Sequence, residues 1–143
     1  HYLTQGWNFK FSDLQAVMGI EQMKKLDQRV QRKKEIGKLY FDLLEDINEI
    51  ELIPTNLEDT APWFFDVLVE DREGLKSYLK ENNIGTREFY PALHLEPVFD
   101  RKKETYPVAE EVGKKGLWLP SAVQLTNEQI LFICKKIKEY YKK

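Results

Sequence analysis

Apolar residues recur at Leu14, Val17, Met18, Met23, Leu26, Val30, Ile36, Leu39, Tyr40, Leu43, Leu44 and Ile47, close to the period of a helix. Ser12-Asp13-Leu14-Gln15 opens that run as a capping box: the Ser12 hydroxyl accepts from the Gln15 backbone N–H and the Gln15 side chain returns to Ser12. Between Leu26 and Ile36 the pattern thins and Arg29, Arg32, Lys33 and Lys34 crowd in. The pattern predicts one long helix, or two collinear ones, ending near Asp46. A continuous helix of that span measures about 50 Å at 1.5 Å per residue, longer than a domain of this size is wide. Such an overhang is expected to pack against something else.

Downstream the period shortens. Glu49 to Pro54 reads as a short strand stopped by proline, and Thr55 to Pro62 as a polar loop. Trp63 to Val69 is the best strand in the chain, with Trp63, Phe65, Val67 and Val69 on one face and Phe64, Asp66 and Leu68 on the other. Both faces are largely apolar, which predicts a central strand and places Trp63, Phe64 and Phe65 in the core, with Trp118 from further along. Asp71 caps a helix through about Glu81, Asn82-Asn83 ends it, and Ile84 to Tyr90 gives a second strand closed by Pro91. Pro97 to Thr105 is expected to be irregular, and Pro107 suits the first position of a helix to about Gly116. Leu117 to Pro120 is expected to be no more than a short extended piece. Thr126-Asn127-Glu128-Gln129 is a second capping box, followed by a stripe of Ile130, Ile133, Ile137, Tyr140 and Tyr141. A strand, helix, strand order with short connections belongs to α/β or α+β domains.

Composition narrows the functional classes. At 143 residues the chain has room for one domain, or one domain plus an appendage, and 22 Lys+Arg against 24 Asp+Glu gives a net charge of −2. A protein that binds nucleic acid through phosphates needs a basic excess, which is absent in total and in any one stretch. Apolar clusters are short and broken by charge, against the roughly 20 residues of a transmembrane helix. The single cysteine, Cys134, cannot form an internal disulfide, and His1 to Gly6 has no apolar signal region, so a cytoplasmic location is expected. Because the chain starts at His1 within a polar, aromatic stretch, it is expected to be a piece of something longer.

General site chemistry adds little. Two distant histidines and one cysteine lack the spacing of a metal site, and no glycine-rich phosphate loop of the familiar kinds is present. Cys134 falls on the pattern of the last helix and is expected to pack. Carboxylates such as Glu110-Glu111 read as a solvated helix surface.

Gly6-Trp7-Asn8-Phe9-Lys10-Phe11-Ser12-Asp13-Leu14-Gln15-Ala16 is more specific. This segment resembles the G-x-N-[FY]-[RK]-[FM]-[ST]-x-[LI]-Q-A-A-x-G signature of the DegT/StrS-type sugar aminotransferases, pyridoxal-phosphate enzymes of fold type I. The likeness continues through Gly19, Gln22 and Leu26, the strand Trp63 to Val69, Ile84-Gly85-Thr86-Arg87 before Tyr90-Pro91-Ala92-Leu93-His94, and Leu117-Trp118-Leu119-Pro120-Ser121 before Leu125-Thr126. It covers essentially the whole chain but only the C-terminal third or so of such an enzyme. It implies an active-site loop segment at 1–12 and a small C-terminal domain at 13–143, with a long first helix and a short antiparallel-type sheet flanked by helices.

The resemblance also implies roles. Members move an amino group from an amino acid, usually glutamate, to a keto group of a nucleotide-linked sugar, for cell-surface polysaccharide or antibiotic-sugar synthesis. The lysine that carries the cofactor lies upstream, in the large N-terminal domain, so this chain alone is expected to be inactive and to hold no catalytic residue. Asn8 is expected to reach the cofactor phosphate of the neighbouring subunit of a homodimer, its amide N–H₂ donating to phosphate oxygen. Gly6 would let the loop turn or approach closely. Lys10 stands where the family usually has arginine, keeping the charge and losing the bidentate fork. Arg87 is expected to pair with a carboxylate or phosphate of the substrates, with Tyr90 and His94 at the mouth of the substrate site. The resemblance also admits a stand-alone binding module of the same fold, or a relative that runs sugar dehydration.

Overall fold

The computed structural model describes residues 4, 6, 7, 9–99 and 104–142. Its order is α1 (Asp13–Met23), α2 (Leu26–Leu44), β1 (Ile50–Leu52), β2 (Phe65–Val69), α3 (Arg72–Glu81), β3 (Arg87–Glu88), two 3₁₀ turns at Leu93–Leu95 and Pro97–Phe99, α4 (Pro107–Lys115), β4 (Gly116–Leu119) and α5 (Asn127–Tyr141). The four strands lie in the order β1-β2-β4-β3, with every neighbouring pair antiparallel. β2 and β3 therefore run parallel with β4 between them, so β2-α3-β3 is a split βαβ unit.

Both capping boxes form. Gln15 and Gln129 return to the Ser12 and Thr126 backbone N–H groups at 2.9 Å, and the cap hydroxyls accept from the glutamine backbones. Asp71 accepts from Gly74 N–H at 3.0 Å to start α3. That helix ends at Asn82, after which Asn83 adopts φ 60°, a left-handed turn that asparagine tolerates.

One core fills the space between the sheet and three helices. Phe65, Val67 and Val69 of β2 and Leu117 and Leu119 of β4 face Ile36, Tyr40 and Leu44 of α2, Leu75 and Leu79 of α3, and Ile130, Ile133, Cys134 and Ile137 of α5. Each fully buried aliphatic side chain contributes about 1.5–3 kcal/mol of transfer free energy. Truncating Leu75 or Leu79 to alanine should therefore cost about 2–5 kcal/mol.

Of the one helix or two that the pattern allowed, the structure has two: at the exposed Lys24-Lys25 the ladder tightens to a Lys25 N–H bond onto Gln22. The structure corrects three expectations. The expected strand Ile84 to Tyr90 shrinks to Arg87–Glu88, because Ile84 is buried and its N–H is held by the Leu79 carbonyl at 2.9 Å behind α3. The short piece at Leu117 is a full partner between β2 and β3. Trp63 lies outside the core at 80% exposure, because β2 starts two residues later, and Phe64 and Trp118 are half-buried and stacked together at 4.5 Å.

Candidate functional site

Strand alternation puts a second set of side chains on the sheet face turned away from the core. Asp66 of β2 pairs in register with Trp118 of β4, which pairs with Arg87 of β3. Beside them lies an open cleft of about 520 Å³, lined among others by Trp63, Phe64, Thr86, Arg87, Trp118 and Ser121, with Lys33 of α2 at its margin. The sequence placed Arg87 and Tyr90 together, and they meet: the guanidinium donates to the Tyr90 hydroxyl at 2.5 Å and lies 5.1 Å from the centre of its ring. Both side chains are exposed.

His94 is not part of this group. It is 7% exposed, its Nε2 lies 3.0 Å from Glu110 Oε1, and its ring meets Tyr106 edge-on at 4.9 Å. It lines a separate depression with Leu93, Phe99, Glu104, Tyr106 and Ala109. Glu110 also accepts from the Tyr106 backbone N–H at 3.0 Å, which with the histidine holds its carboxyl below the usual range. The Glu110 carboxylate thus ties the 93–95 turn to the first turn of α4, which the solvated-surface reading did not anticipate.

At the other end of the chain, Asn8 lies outside the described residues. Gly6, Trp7, Phe9 and Lys10 are all exposed, and a Cβ added to Gly6 meets nothing within 4 Å. Among the described residues no group of three or more His, Cys, Asp or Glu could hold a metal ion. No described helix is long and apolar enough to cross a membrane.

Lys33 and Asp66 were missed by the sequence reading. Lys33 Nζ donates to the carbonyls of Trp63 and Ser121, each at 2.6 Å, and burial lowers its pKa. Its partners are 30 and 88 residues away, so no local pattern marks it. Asp66 did carry a signal, as the one charge within the apolar run Trp63 to Val69.

The family model for DegT/DnrJ/EryC1/StrS aminotransferases matches residues 1–138. The chain belongs to this family. Among curated relatives of these aminotransferases, it is 31% identical over 141 residues to a GDP-perosamine synthase of Escherichia coli O157:H7, covering 95% of this chain and 38% of that protein. It is 30% identical to a dTDP-4-amino-4,6-dideoxy-D-glucose transaminase of Escherichia coli, covering 91% and 38%. Among solved structures it superposes on DesV of S. venezuelae at TM-score 0.86 and 27% identity, covering 99% of this chain and 39% of that one. NtdA of Bacillus subtilis with bound cofactor PMP gives TM-score 0.86 at 26% identity, covering 99% and 35%. The fold is that of the fold type I aminotransferases, and the family is pyridoxal-phosphate-dependent. The chain spans under two fifths of the length of the two curated relatives. By side-chain chemistry alone, the ammonium of Lys10 and the amide of Asn8 are donor types suited to a phosphate.

Proposed function

We propose that the chain is the C-terminal part of a cytoplasmic aminotransferase that moves an amino group from an amino acid, glutamate by preference, to a keto group of a nucleotide-linked sugar. The product would serve cell-surface polysaccharide or antibiotic-sugar synthesis. The observation that carries this reading is the unbroken family match over residues 1–138, shared with relatives named for GDP- and dTDP-linked sugars. Pyridoxal phosphate, when bound, supplies the electron sink. The contribution of this chain is to bind and orient. Asn8, Gly6 and Lys10 would hold the cofactor phosphate across a homodimer interface, while Arg87 and Tyr90 orient an anionic group of the substrate. His94, held by Glu110 in its own depression, would act from the turn that follows Tyr90 and not beside Arg87. The apolar residues left exposed on α1, among them Val17, Met18, Ile20 and Met23, are the surface for the rest of the protein and the second subunit.

The test uses the full-length protein loaded with pyridoxal phosphate. It should release 2-oxoglutarate from glutamate in a single half-turnover and aminate a nucleotide-linked keto sugar. Absence of 2-oxoglutarate from the loaded protein would refute the aminotransferase reading. Asn8→Ala should weaken cofactor retention, and unchanged affinity would remove the role assigned to Asn8.

A further inference from the structure

Three strand ends meet around the cleft: the entry to β2 at Trp63 and Phe64, the exit from β4 at Pro120 and Ser121, and the entry to β3 at Thr86 and Arg87. Phe65 opposite Leu119 is the last registered pair of β2 and β4, and continuing that register by two residues sets Trp63 opposite Ser121. The ladder stops short of them. Pro120 lies between and has no N–H to donate. Trp63 and Ser121 each turn a carbonyl oxygen to the same donor, Lys33, and two such acceptors cannot bond each other.

The Lys33 ammonium donates to both carbonyls at 2.6 Å and to the Ser121 hydroxyl at 3.3 Å, so its three N–H groups meet three oxygens. That hydroxyl donates in turn to the Trp63 carbonyl at 3.4 Å. All these acceptors are uncharged, and holding a half-buried cation among them costs desolvation, which lowers its pKa. A lysine that served only to pack its stem would extend the ammonium into water. The segment after β4 has other ties to α2, since Tyr40 donates to the Pro120 carbonyl at 2.7 Å and Arg32 to the Leu125 carbonyl at 2.5 Å. Neither reaches Trp63. The tie across this end of the sheet therefore runs through Lys33 and the Ser121 hydroxyl that it holds.

We propose that Lys33 is a positioning residue for an oxyanion site at Arg87. Its ammonium clamps the entry to β2 against the exit from β4 and so sets the gap between two walls of the cleft. A carboxylate or phosphate held by the guanidinium N–H groups left after the bond to Tyr90 then meets walls already in place. The inference rests on the reading of Arg87 as the contact for a substrate anion.

The test measures binding of L-glutamate, GDP and dTDP to the full-length protein by calorimetry. Arg87→Ala should weaken at least one probe by roughly tenfold or more, as expected for a lost charge-assisted pair, and the probe most affected becomes the reporter. Lys33→Met keeps an apolar stem, leaves the Tyr40 and Arg32 ties intact, and should weaken the reporter by roughly 3–10-fold. In the Arg87→Ala background the same change should cost less than about twofold, because the clamp acts through the anion held by Arg87. Lys33→Arg, which keeps the charge and donors for both carbonyls, should stay within about twofold of the wild type. Lys34→Met removes an equal charge from the next residue, whose ammonium holds the Glu58 carbonyl instead, and should also stay within about twofold. An unchanged affinity in Lys33→Met beside a loss in Arg87→Ala, additive losses in the double variant, or a loss in Lys33→Arg or Lys34→Met equal to that in Lys33→Met would each overturn the positioning role. No binding of any probe to the wild type, or unchanged binding of all three in Arg87→Ala, would instead overturn the reading of Arg87 itself.

Discussion

Tyr40→Phe removes a single oxygen from the centre of the molecule. The Tyr40 ring is fully buried and stacks on Phe65 at 4.5 Å, and its hydroxyl donates to the Pro120 carbonyl at 2.7 Å. Burial raises the phenol's pKa far above its usual value, so the donating form is present at any working pH. The phenylalanine variant keeps the stacking and leaves the part-buried Pro120 carbonyl without this donor, a loss of about 1–2 kcal/mol. At an unfolding entropy of about 2.1 cal/mol/K per residue, the chain carries about 0.3 kcal/mol/K, so the midpoint should fall by about 3–7 °C. Tyr40→Ala also removes the ring and should cost about 3–5 kcal/mol. Thermal unfolding of the two variants by circular dichroism separates the hydroxyl from the ring. A phenylalanine midpoint within about 1 °C of wild type would refute the reasoning, since it would leave the bond with no net contribution.

The raised pKa of Asp66 means the native state holds this proton to higher pH than the unfolded chain does. Its stabilising contribution is present below the usual carboxylate range and is lost as pH rises through the raised value. Asp66→Asn should therefore raise the thermal midpoint at pH 7 and leave it unchanged near pH 3, as thermal scans at the two pH values will check; equal effects at both would contradict the sign. Cys134 is 2% exposed and burial pushes its thiol up to about 12, so at pH 8 only about one thiol in 10⁴ is ionised. Ellman's reagent should react only after denaturant is added, and prompt reaction with the native chain would contradict that burial.

The elements whose signals are local were legible in the sequence. Capping boxes at Ser12 and Thr126, the aspartate cap at Asp71 and the proline start of α4 are each written within four residues, and all four begin helices where expected. Sheet order was not legible, because β4 has only four residues and its place between β2 and β3 depends on partners some 30 and 50 residues away. The same limit explains Trp63. Alternation counted it with Phe65, Val67 and Val69, but only pairing with β4 fixes where the strand begins, and Phe65 opposite Leu119 is the first such pair. At the candidate site, Arg87 and Tyr90 are three residues apart and their union could be anticipated. Lys33 is held by carbonyls from two distant loops, and only the folded chain brings them to it.

Helix α1 poses a different problem, since it forms without burying any side chain. Eleven residues fall short of the roughly 12–15 needed for an isolated helix in water, and its capping box contributes only about 1 kcal/mol. Its apolar residues Leu14, Val17, Met18, Ile20 and Met23 are all at least 59% exposed, so packing within this chain adds nothing to its stability. Hydrogen exchange should divide the first two helices accordingly. In the chain by itself, the α1 amides should exchange at least tenfold faster than those of Ile36 to Leu44, whose side chains anchor α2 in the core. In the full-length protein the α1 amides should slow by a comparable factor, because the covering surface supplies the burial that the chain lacks. If they remain fast there, α1 is not the seat of the rest of the protein or of the second subunit, and its apolar face needs another explanation.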